Sequence, residues 1–172
     1  MDTTKIETKT SNLLRDNNCI SLPIDVLDLA IKLGVRVEAE SFEDDISGLF
    51  VIKNKRPYIC YNKNQGKSRV RFTIAHELGH YILHSKTKPL FIDRNKKVLY
   101  RDFNSSTGEL KLEREANTFA ASLLMPKFLI EAELENKNEE IDIVKSLSEK
   151  FNVSSQAMSF RLANLDYDFG MF

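Results

Sequence analysis

The sequence predicts an α+β domain in which a small sheet is followed by several helices. Three short segments, 35–39, 46–52 and 58–61, carry the alternation and the β-branched or aromatic residues typical of strands. Apolar residues then recur at helical spacing over 68–84 and again from Glu109 onward. With 172 residues and 42% hydrophobic content, the chain can bury one core. We expect a small, twisted, mostly antiparallel sheet of about three strands, packed against helices.

The first half can be assigned in chain order. Helices are predicted over 10–18 and 24–33, and Gly34 ends the second one. The strand at 46–52 is short and apolar. It is therefore either an interior strand or an exposed sheet edge that receives an extended peptide beside the site described below.

The second half is predicted to be mainly helical. The polar stretch 86–108 has little periodicity and is interpreted as a long loop or a lid. Further helices are predicted over 109–125, 127–136, 140–151 and 154–165. We expect residues 1–136 to form the main domain and residues 137–172 a helical pair packed on or beside it.

The amino-acid composition indicates which kinds of binding partner and which cellular compartment to expect. The 25 basic and 25 acidic residues cancel, so no overall field attracts nucleic acid or an anionic membrane. The first residues lack the apolar core of a signal peptide, and no segment approaches the roughly 20 apolar residues that span a bilayer. Cys19 and Cys60 fit no metal or redox spacing, which favours two reduced thiols. We therefore expect a cytoplasmic protein without a membrane partner.

The most informative stretch is the pentapeptide His76-Glu77-Leu78-Gly79-His80. On a helix this spacing directs two imidazoles one turn apart toward one point, with a glutamate beside them. The chain contains three histidines, and the third, His84, lies on the same helical face. The pattern predicts a site for one Zn²⁺ ion with a general base next to it.

A catalytic zinc site needs three protein ligands, so two histidines leave one to find. On the helix predicted over 109–125, Glu113 and Asn117 are four residues apart and share a face. Glu113 is a candidate third ligand, and Asn117 a candidate partner that orients a ligating histidine. Spacing alone does not distinguish Glu113 from a solvated side chain, and Glu109 and Glu115 are competing candidates.

Two blocks of the sequence carry a family resemblance. The segment 71–80, followed at a distance by 113–126, resembles the ImmA/IrrE family of zinc metallopeptidases in order and spacing. The likeness extends from about Ser21 to Leu165. It implies a zincin-like fold and a gluzincin-like site, with His76, His80 and Glu113 as zinc ligands and Glu77 as the catalytic base.

The family also implies a biological setting and places Asn117 where such sites carry an orienting Asn or Asp. Its members are peptidases of bacteria, phages and mobile elements that cleave a helix-turn-helix repressor and so relieve repression. The partner implied for this chain is thus a protein substrate, namely such a repressor. A donor for the tetrahedral oxyanion is also expected, and the candidates are His84, Tyr81, Tyr100 and the 86–108 segment.

The C-terminal segment favours a competing function, because 147–162 resembles a helix-turn-helix with Ser154 as the N-cap of its second helix. The charge of the C-terminal segment disfavours DNA binding, because a DNA-binding surface needs basic residues to neutralise the phosphates. Between residues 139 and 172 the acidic residues are Glu139, Glu140, Asp142, Glu149, Asp166 and Asp168, and the basic residues are only Lys145, Lys150 and Arg161. A non-catalytic zinc-containing regulator that acts by binding protein or DNA is the alternative hypothesis.

Overall fold

The computed structural model describes residues 1–94, 107–135 and 142–167. Within these ranges, four strands and seven helices follow one another along the chain. In chain order they are α1 (Thr3–Asp16), α2 (Val26–Lys32), β1 (Arg36–Glu40), β2 (Ile46–Lys53), β3 (Arg56–Asn62), α3 (Lys67–His84), β4 (Leu90–Arg94), α4 (Thr107–Leu124), α5 (Lys127–Glu135), α6 (Ile143–Phe151) and α7 (Ser155–Asn164). The predicted α+β class is confirmed.

The sheet is mixed and has the strand order β1-β3-β2-β4. Strand β2 runs antiparallel to both of its neighbours, whereas β1 runs parallel to β3. The sheet therefore has four strands, and the expected number of three was too low. The additional strand, β4, lies within the stretch 86–108 that the sequence predicted to be a loop, so that prediction was wrong for Leu90–Arg94.

The position of β4 also decides which strand lies at the sheet edge. Residues Gly48 to Val51 of β2 pair with β3 on one side and with β4 on the other. The idea that β2 offers an exposed edge was therefore wrong, and its interior alternative is correct. In the described part of the chain, β4 is the edge strand on this side of the sheet.

Helix α3 packs on β2 and β3 and forms the centre of the core. Phe50 of β2 and Ile59 of β3 are fully buried beneath it, together with Ile74 and Leu78 of the helix itself. The apolar stripe predicted for this helix is thus largely buried, and the residues that meet β2 include Thr73 and Tyr81. Burial of the large apolar side chains stabilises the packed position of the helix by about 25 cal/mol for each Å² of apolar area removed from water.

Helices α3 and α4 approach each other unusually closely. A Cβ atom added at Gly79 would lie 3.2 Å from the Cα atom of Ala116 and 3.2 Å from the Cβ atom of Phe119. These three small or close-packed positions let the two backbones meet. The contact fixes the distance between the side chains that the two helices direct toward each other.

Buried apolar residues of the C-terminal helices, such as Leu147 and Leu162, belong to the core cluster, and one buried arginine adds polar contacts to the rest of the chain. Arg161 of α7 donates a hydrogen bond from Nε to the carbonyl of Met125 (2.9 Å) and forms an ion pair with Glu7 of α1. Ser154 caps α7 as predicted, accepting from the backbone N–H of Ala157. The division of the chain at residue 136 stays a prediction. None of the helices in the described ranges is long and apolar enough to cross a membrane.

Candidate metal centre

His76 and His80 lie one turn apart in the middle of α3, and both rings are almost completely buried. Their Nε2 atoms face each other at 3.0 Å. Two buried nitrogen atoms at this separation share one small volume of space. Their other ring nitrogens point away from each other, toward different partners.

Glu113 of α4 reaches the same volume from the neighbouring helix. One of its carboxylate oxygens lies 3.3 Å from the Nε2 atom of His76, and the other lies 3.3 Å from the Nε2 atom of His80. One donor atom from each of the three residues lies within 4.8 Å of the others, as a group that could hold a metal ion. Neither Glu109 nor Glu115, the competing candidates, belongs to this group among the described residues.

The donor spacing fits a small tetrahedral ion. Bond lengths of roughly 2.0–2.2 Å to nitrogen and oxygen place neighbouring ligands of zinc about 3.3 Å apart. The separations of 3.0 and 3.3 Å between the donors agree with this value. Two imidazoles and one carboxylate are also a common catalytic zinc set, which leaves the fourth position for water or substrate.

The protonation of this group follows from its burial and its neighbours. Burial alone would raise the pKa of Glu113, but hydrogen bonds to His76 and His80 and electrostatic interactions with them lower it below its usual value. Burial lowers the pKa of His80. A carboxylate held in its charged form beside a largely neutral imidazole is the protonation state in which these residues bind metal ions.

The Nδ1 atoms of the two histidines have different partners. Nδ1 of His76 lies 3.1 Å from the side-chain oxygen of Asn117, so the predicted orienting residue contacts this histidine. Nδ1 of His80 lies 3.2 Å from Nδ1 of His84. His84 in turn contacts a carboxylate oxygen of Glu115 through its Nε2 atom, at 3.0 Å.

Glu77 lies beside the histidines but does not share their hydrogen bonds. Its side chain is fully buried, and within the described structure neither carboxylate oxygen has a hydrogen-bond partner. A Cβ atom added at Gly48 of β2 would lie 3.6 Å from one of these oxygens. Burial, together with the nearby charges of Asp93 and Glu113, raises the pKa of Glu77 well above its usual range. A buried carboxylate without a partner is costly, and such groups concentrate at functional sites.

Two residues of β4 adjoin the site, and the sequence interpretation missed both. Phe91 stacks on His80, with ring centroids 3.9 Å apart and an interplanar angle of 15°. Asp93 is mostly buried and lies 3.4 Å from a guanidinium nitrogen of Arg69, and burial raises its pKa. The signal that could have found this strand is the apolar run Leu90-Phe91-Ile92 after Pro89.

The three candidates for the oxyanion donor have different positions. The ring of Tyr81 packs near that of Phe50, with centroids 5.6 Å apart. His84 has both ring nitrogens engaged by His80 and Glu115, and burial followed by the charge of His80 lowers its pKa to about 4. That arrangement argues against an oxyanion role for His84. Tyr100 lies outside the described residues.

The fold and the converging side chains are those of a zincin-like metallopeptidase domain. A family model described as the IrrE N-terminal-like domain, of the peptidase M78 family, matches residues 30–163. The chain belongs to this family, and the predicted ImmA/IrrE relationship is confirmed.

Curated relatives and one solved structure agree with this assignment. "Uncharacterized immunity region protein 2" of Bacillus phage phi105 is 29% identical over 103 residues, covering 60% of this chain and 60% of the relative. "Metallopeptidase ImmA" of Bacillus subtilis (strain 168) is 29% identical over 107 residues, covering 59% of this chain and 54% of the relative. The match thus spans little more than half the length of these relatives.

The solved structure is similar in fold alone. It is titled "Mycobacterium tuberculosis transcriptional regulator" and superposes with a TM-score of 0.63 at 14% identity. The superposition covers 93% of this chain and 46% of the other. The arrangement of strands and helices described above therefore also occurs within a longer protein.

Proposed function

We propose that this protein is a zinc-dependent endopeptidase that hydrolyses peptide bonds in a protein substrate. The observation that carries the proposal is the convergence of His76, His80 and Glu113 beside Glu77, a buried carboxylate without a hydrogen-bond partner among the described residues. The family membership and the name of the Bacillus subtilis relative support the same class of reaction. A cytoplasmic location is part of the proposal.

In this proposal His76, His80 and Glu113 hold one Zn²⁺ ion. When bound, zinc supplies Lewis acidity and lowers the pKa of a coordinated water to about 7. Asn117 accepts a hydrogen bond from the Nδ1–H group of His76, which leaves the Nε2 lone pair available to the ion that His76 would share with Glu113. Burial of both rings keeps bulk water away from these nitrogens.

Glu77 acts as the general base and then as the general acid. Because its pKa is raised, its carboxylate accepts a proton more readily than an ordinary glutamate does. It takes a proton from the attacking water and later delivers it to the nitrogen of the leaving amine. The absence of competing hydrogen bonds from described residues keeps its oxygens available for these transfers.

The substrate backbone binds along β4 in this proposal. Strand β4 pairs with β2 on one side, and in the described ranges no strand pairs with its other side. An extended peptide can add there as a further strand through main-chain hydrogen bonds. Phe91 of the same strand touches His80, so a peptide on this edge lies next to the candidate metal ligands.

The substrate itself is proposed to be a helix-turn-helix transcriptional repressor. The support is the family resemblance and the printed name of the phage relative, an immunity region protein. Cleavage of such a repressor would relieve repression of the genes it controls.

The test mixes the purified zinc-loaded protein with the transcription regulator encoded next to its gene. We expect cleavage that a chelator stops and that added Zn²⁺ restores. The matched variant Glu77→Gln should keep its zinc content while cleavage falls by about 10²- to 10⁴-fold, which is the usual worth of a positioned base. Cleavage that persists at full rate in this variant would overturn the assigned role of Glu77. A regulator that stays intact with the zinc-loaded protein would overturn the proposed substrate.

A non-catalytic regulator is the second candidate, because α6 and α7 form a helix-turn-helix-like pair with a capped second helix. The described structure gives little support to DNA binding by this pair. Arg161, one of its few cations, is buried in an ion pair with Glu7 and cannot reach a phosphate. Biological activity that survives Glu77→Gln would favour this second candidate.

A further inference from the structure

Three side chains form a line that starts at one candidate zinc ligand and ends at a carboxylate. Nδ1 of His80 contacts Nδ1 of His84 at 3.2 Å, and Nε2 of His84 contacts Oε2 of Glu115 at 3.0 Å. His84 is 4% exposed and Glu115 is 11% exposed. The proposed reaction uses neither residue, so this buried polar line needs its own explanation.

The direction of the hydrogen bonds in this line can be worked out from its two ends. At one end a neutral imidazole that ligates through Nε2 carries its proton on Nδ1, so His80 donates from Nδ1. At the other end an ionised carboxylate can only accept, so His84 donates from Nε2 to Glu115. The neutral ring of His84 then has no proton on Nδ1, and this atom accepts the hydrogen bond from His80. This one arrangement satisfies both ring nitrogens of His84 and the facing oxygen of Glu115, whose other oxygen forms an ion pair with the N-terminal amine of Met1.

We propose that Glu115 and His84 act together as a positioning pair that places the ring proton of His80 on Nδ1, so that its Nε2 lone pair faces the metal ion. The inference rests on the proposed function, because it assumes that His80 ligates zinc. If the proton of His84 were on Nδ1, two N–H groups would face each other at 3.2 Å unless His80 moved its own proton to Nε2. In that state His80 could not bind a metal ion.

The two candidate histidine ligands are thus oriented by different means. Nδ1 of His76 contacts the side-chain oxygen of Asn117 directly. His80 is held by a second imidazole, whose proton position depends in turn on Glu115. The stack of Phe91 against the face of His80 fixes the plane of the ring but cannot determine which nitrogen carries the proton. That choice is left to His84 and Glu115.

The direct test needs no substitution. The chain has three histidines, so the tag-free, zinc-loaded full chain gives only three imidazole patterns in a long-range ¹H–¹⁵N correlation spectrum. We expect His76 and His80 to carry the proton on Nδ1 and His84 to carry it on Nε2. A proton on Nδ1 of His84 in the zinc-loaded protein would overturn the proposal.

Variants of Glu115 test the consequence for zinc binding. Glu115→Leu removes the acceptor and should weaken zinc affinity by about 10- to 100-fold, the usual effect of losing an outer partner of a ligating histidine. Glu115→Gln keeps a carbonyl oxygen that can accept from His84, and should therefore retain most of the affinity and the same proton position. Affinity is measured by competition with a chromophoric chelator, without any substrate.

The matched control is Glu7→Gln, which alters another mostly buried carboxylate that has an ion-pair partner far along the chain. It should lower the stability of the fold but leave zinc affinity unchanged. Equal zinc affinity in Glu115→Leu and the unaltered protein would overturn the positioning role. Failure of the unaltered protein to bind zinc would instead show that the proposed function is wrong, and this inference would fall with it.

Discussion

Two clusters of buried polar side chains adjoin α4, and they differ in how completely their polar atoms are partnered. The ion-pair cluster consists of the side chains of Glu7, Ser122 and Arg161 together with the backbone carbonyl of Met125. The carboxylate of Glu7 accepts from the guanidinium of Arg161 and from Ser122 (2.8 Å), and Nε of Arg161 donates to the Met125 carbonyl. Each charge has an opposite charge beside it.

The histidine cluster consists of His76, Glu77, His80 and Glu113. Here two ring nitrogens face each other at 3.0 Å, and both oxygens of Glu77 lack a hydrogen-bond partner within the described structure. Buried polar groups in proteins are normally satisfied, because an unsatisfied one costs about 1–3 kcal/mol. The comparison teaches that a satisfied buried cluster holds the fold together, whereas an unsatisfied one indicates a site where something binds or reacts.

The strongest change in zinc affinity is expected for a substitution of Glu113 in the histidine cluster. Glu113→Gln replaces a charged candidate ligand by a neutral one, so zinc affinity should fall by more than the roughly 100-fold that an outer partner contributes. Chelator competition measures the change. Glu109→Gln is the matched control, because Glu109 is exposed on the same helix and pairs with Lys88. Equal affinities in these two variants would mean that another residue supplies the third ligand.

The second prediction concerns the contribution of the ion-pair cluster to stability. Glu7→Gln leaves Arg161 buried without an opposite charge and should lower the free energy of unfolding by about 3 kcal/mol at pH 7. The pKa of Glu7 is lowered in the folded state, where the guanidinium of Arg161 outweighs the opposing effect of burial. Its stabilising contribution is therefore present above the unfolded pKa of 4.5 and is lost as the pH falls through the folded value.

Urea unfolding of both proteins at pH 7 and at pH 3 measures this difference. The two stabilities should converge in acid. A difference that is the same at both pH values would mean that the carboxylate charge of Glu7 contributes little. Zinc affinity should not change in either case, since Glu7 has no contact with the histidine cluster.

A smaller loss of stability is expected for a substitution of Gly48, which lies beside Glu77 of the histidine cluster. A Cβ atom at Gly48 would lie 2.4 Å from the Cγ2 atom of Thr73 and 3.0 Å from the carbonyl oxygen of Cys60. Gly48→Ala should therefore destabilise the fold by about 2 kcal/mol through overpacking. Gly66→Ala is the control, since a Cβ atom there meets nothing within 4 Å. Thermal unfolding compares the two, and equal stabilities would show that α3 can move away from β2 at little cost.

The last substitution, Glu77→Gln, should make the metal-free protein slightly more stable, whereas Glu7→Gln and Gly48→Ala should make it less stable. The raised pKa of Glu77 means that the folded metal-free protein holds this proton more tightly than the unfolded chain does. Stability from this group is thus present below the unfolded pKa of 4.5 and is lost as the pH rises through the folded value. Glu77→Gln should stabilise the metal-free protein by about 1 kcal/mol at pH 8, which is about 2–4 °C in Tm, and have little effect at pH 5.

Differential scanning calorimetry of the metal-free forms at both pH values checks this prediction. A variant that is less stable than the parent at pH 8 would contradict it. In that case the Glu77 carboxylate would stabilise the fold, as the Glu7 carboxylate does.

Local sequence signals were sufficient for most of the helices and for three strands, but α1 begins at Thr3, well before the predicted start at residue 10. The periodicity that predicts 68–84 and 109–125 comes from each segment's own apolar residues, so α3 and α4 were expected within a few positions. The relative positions of His76, Glu77 and His80 are likewise set within one helical turn, so the pentapeptide alone was enough to predict them. Asn117 was also placed correctly on the face of Glu113, because their spacing is helical.

The remaining features depend on contacts between distant segments. Strand β4 has only a short apolar run, and its pairing is decided by β2, about forty residues earlier in the chain. The same pairing makes β2 an interior strand, which no pattern within 46–52 could reveal. Spacing alone could not choose Glu113 over its neighbours. The family resemblance favoured it, and the close approach of α3 and α4 at Gly79 brings it to the two histidines. Asp93 was missed together with its strand.

Strand β4 has a mechanical consequence for the whole site. Its residue Phe91 lies flat on the ring of His80, and its outer edge is where a polypeptide is proposed to be held. Because packed rings resist lateral shifts, a pull on the bound chain would be transmitted through this aromatic contact to the imidazole. On the proposed function, the strand that binds the polypeptide and a residue that binds the ion would therefore be mechanically coupled, because a direct aromatic contact joins them.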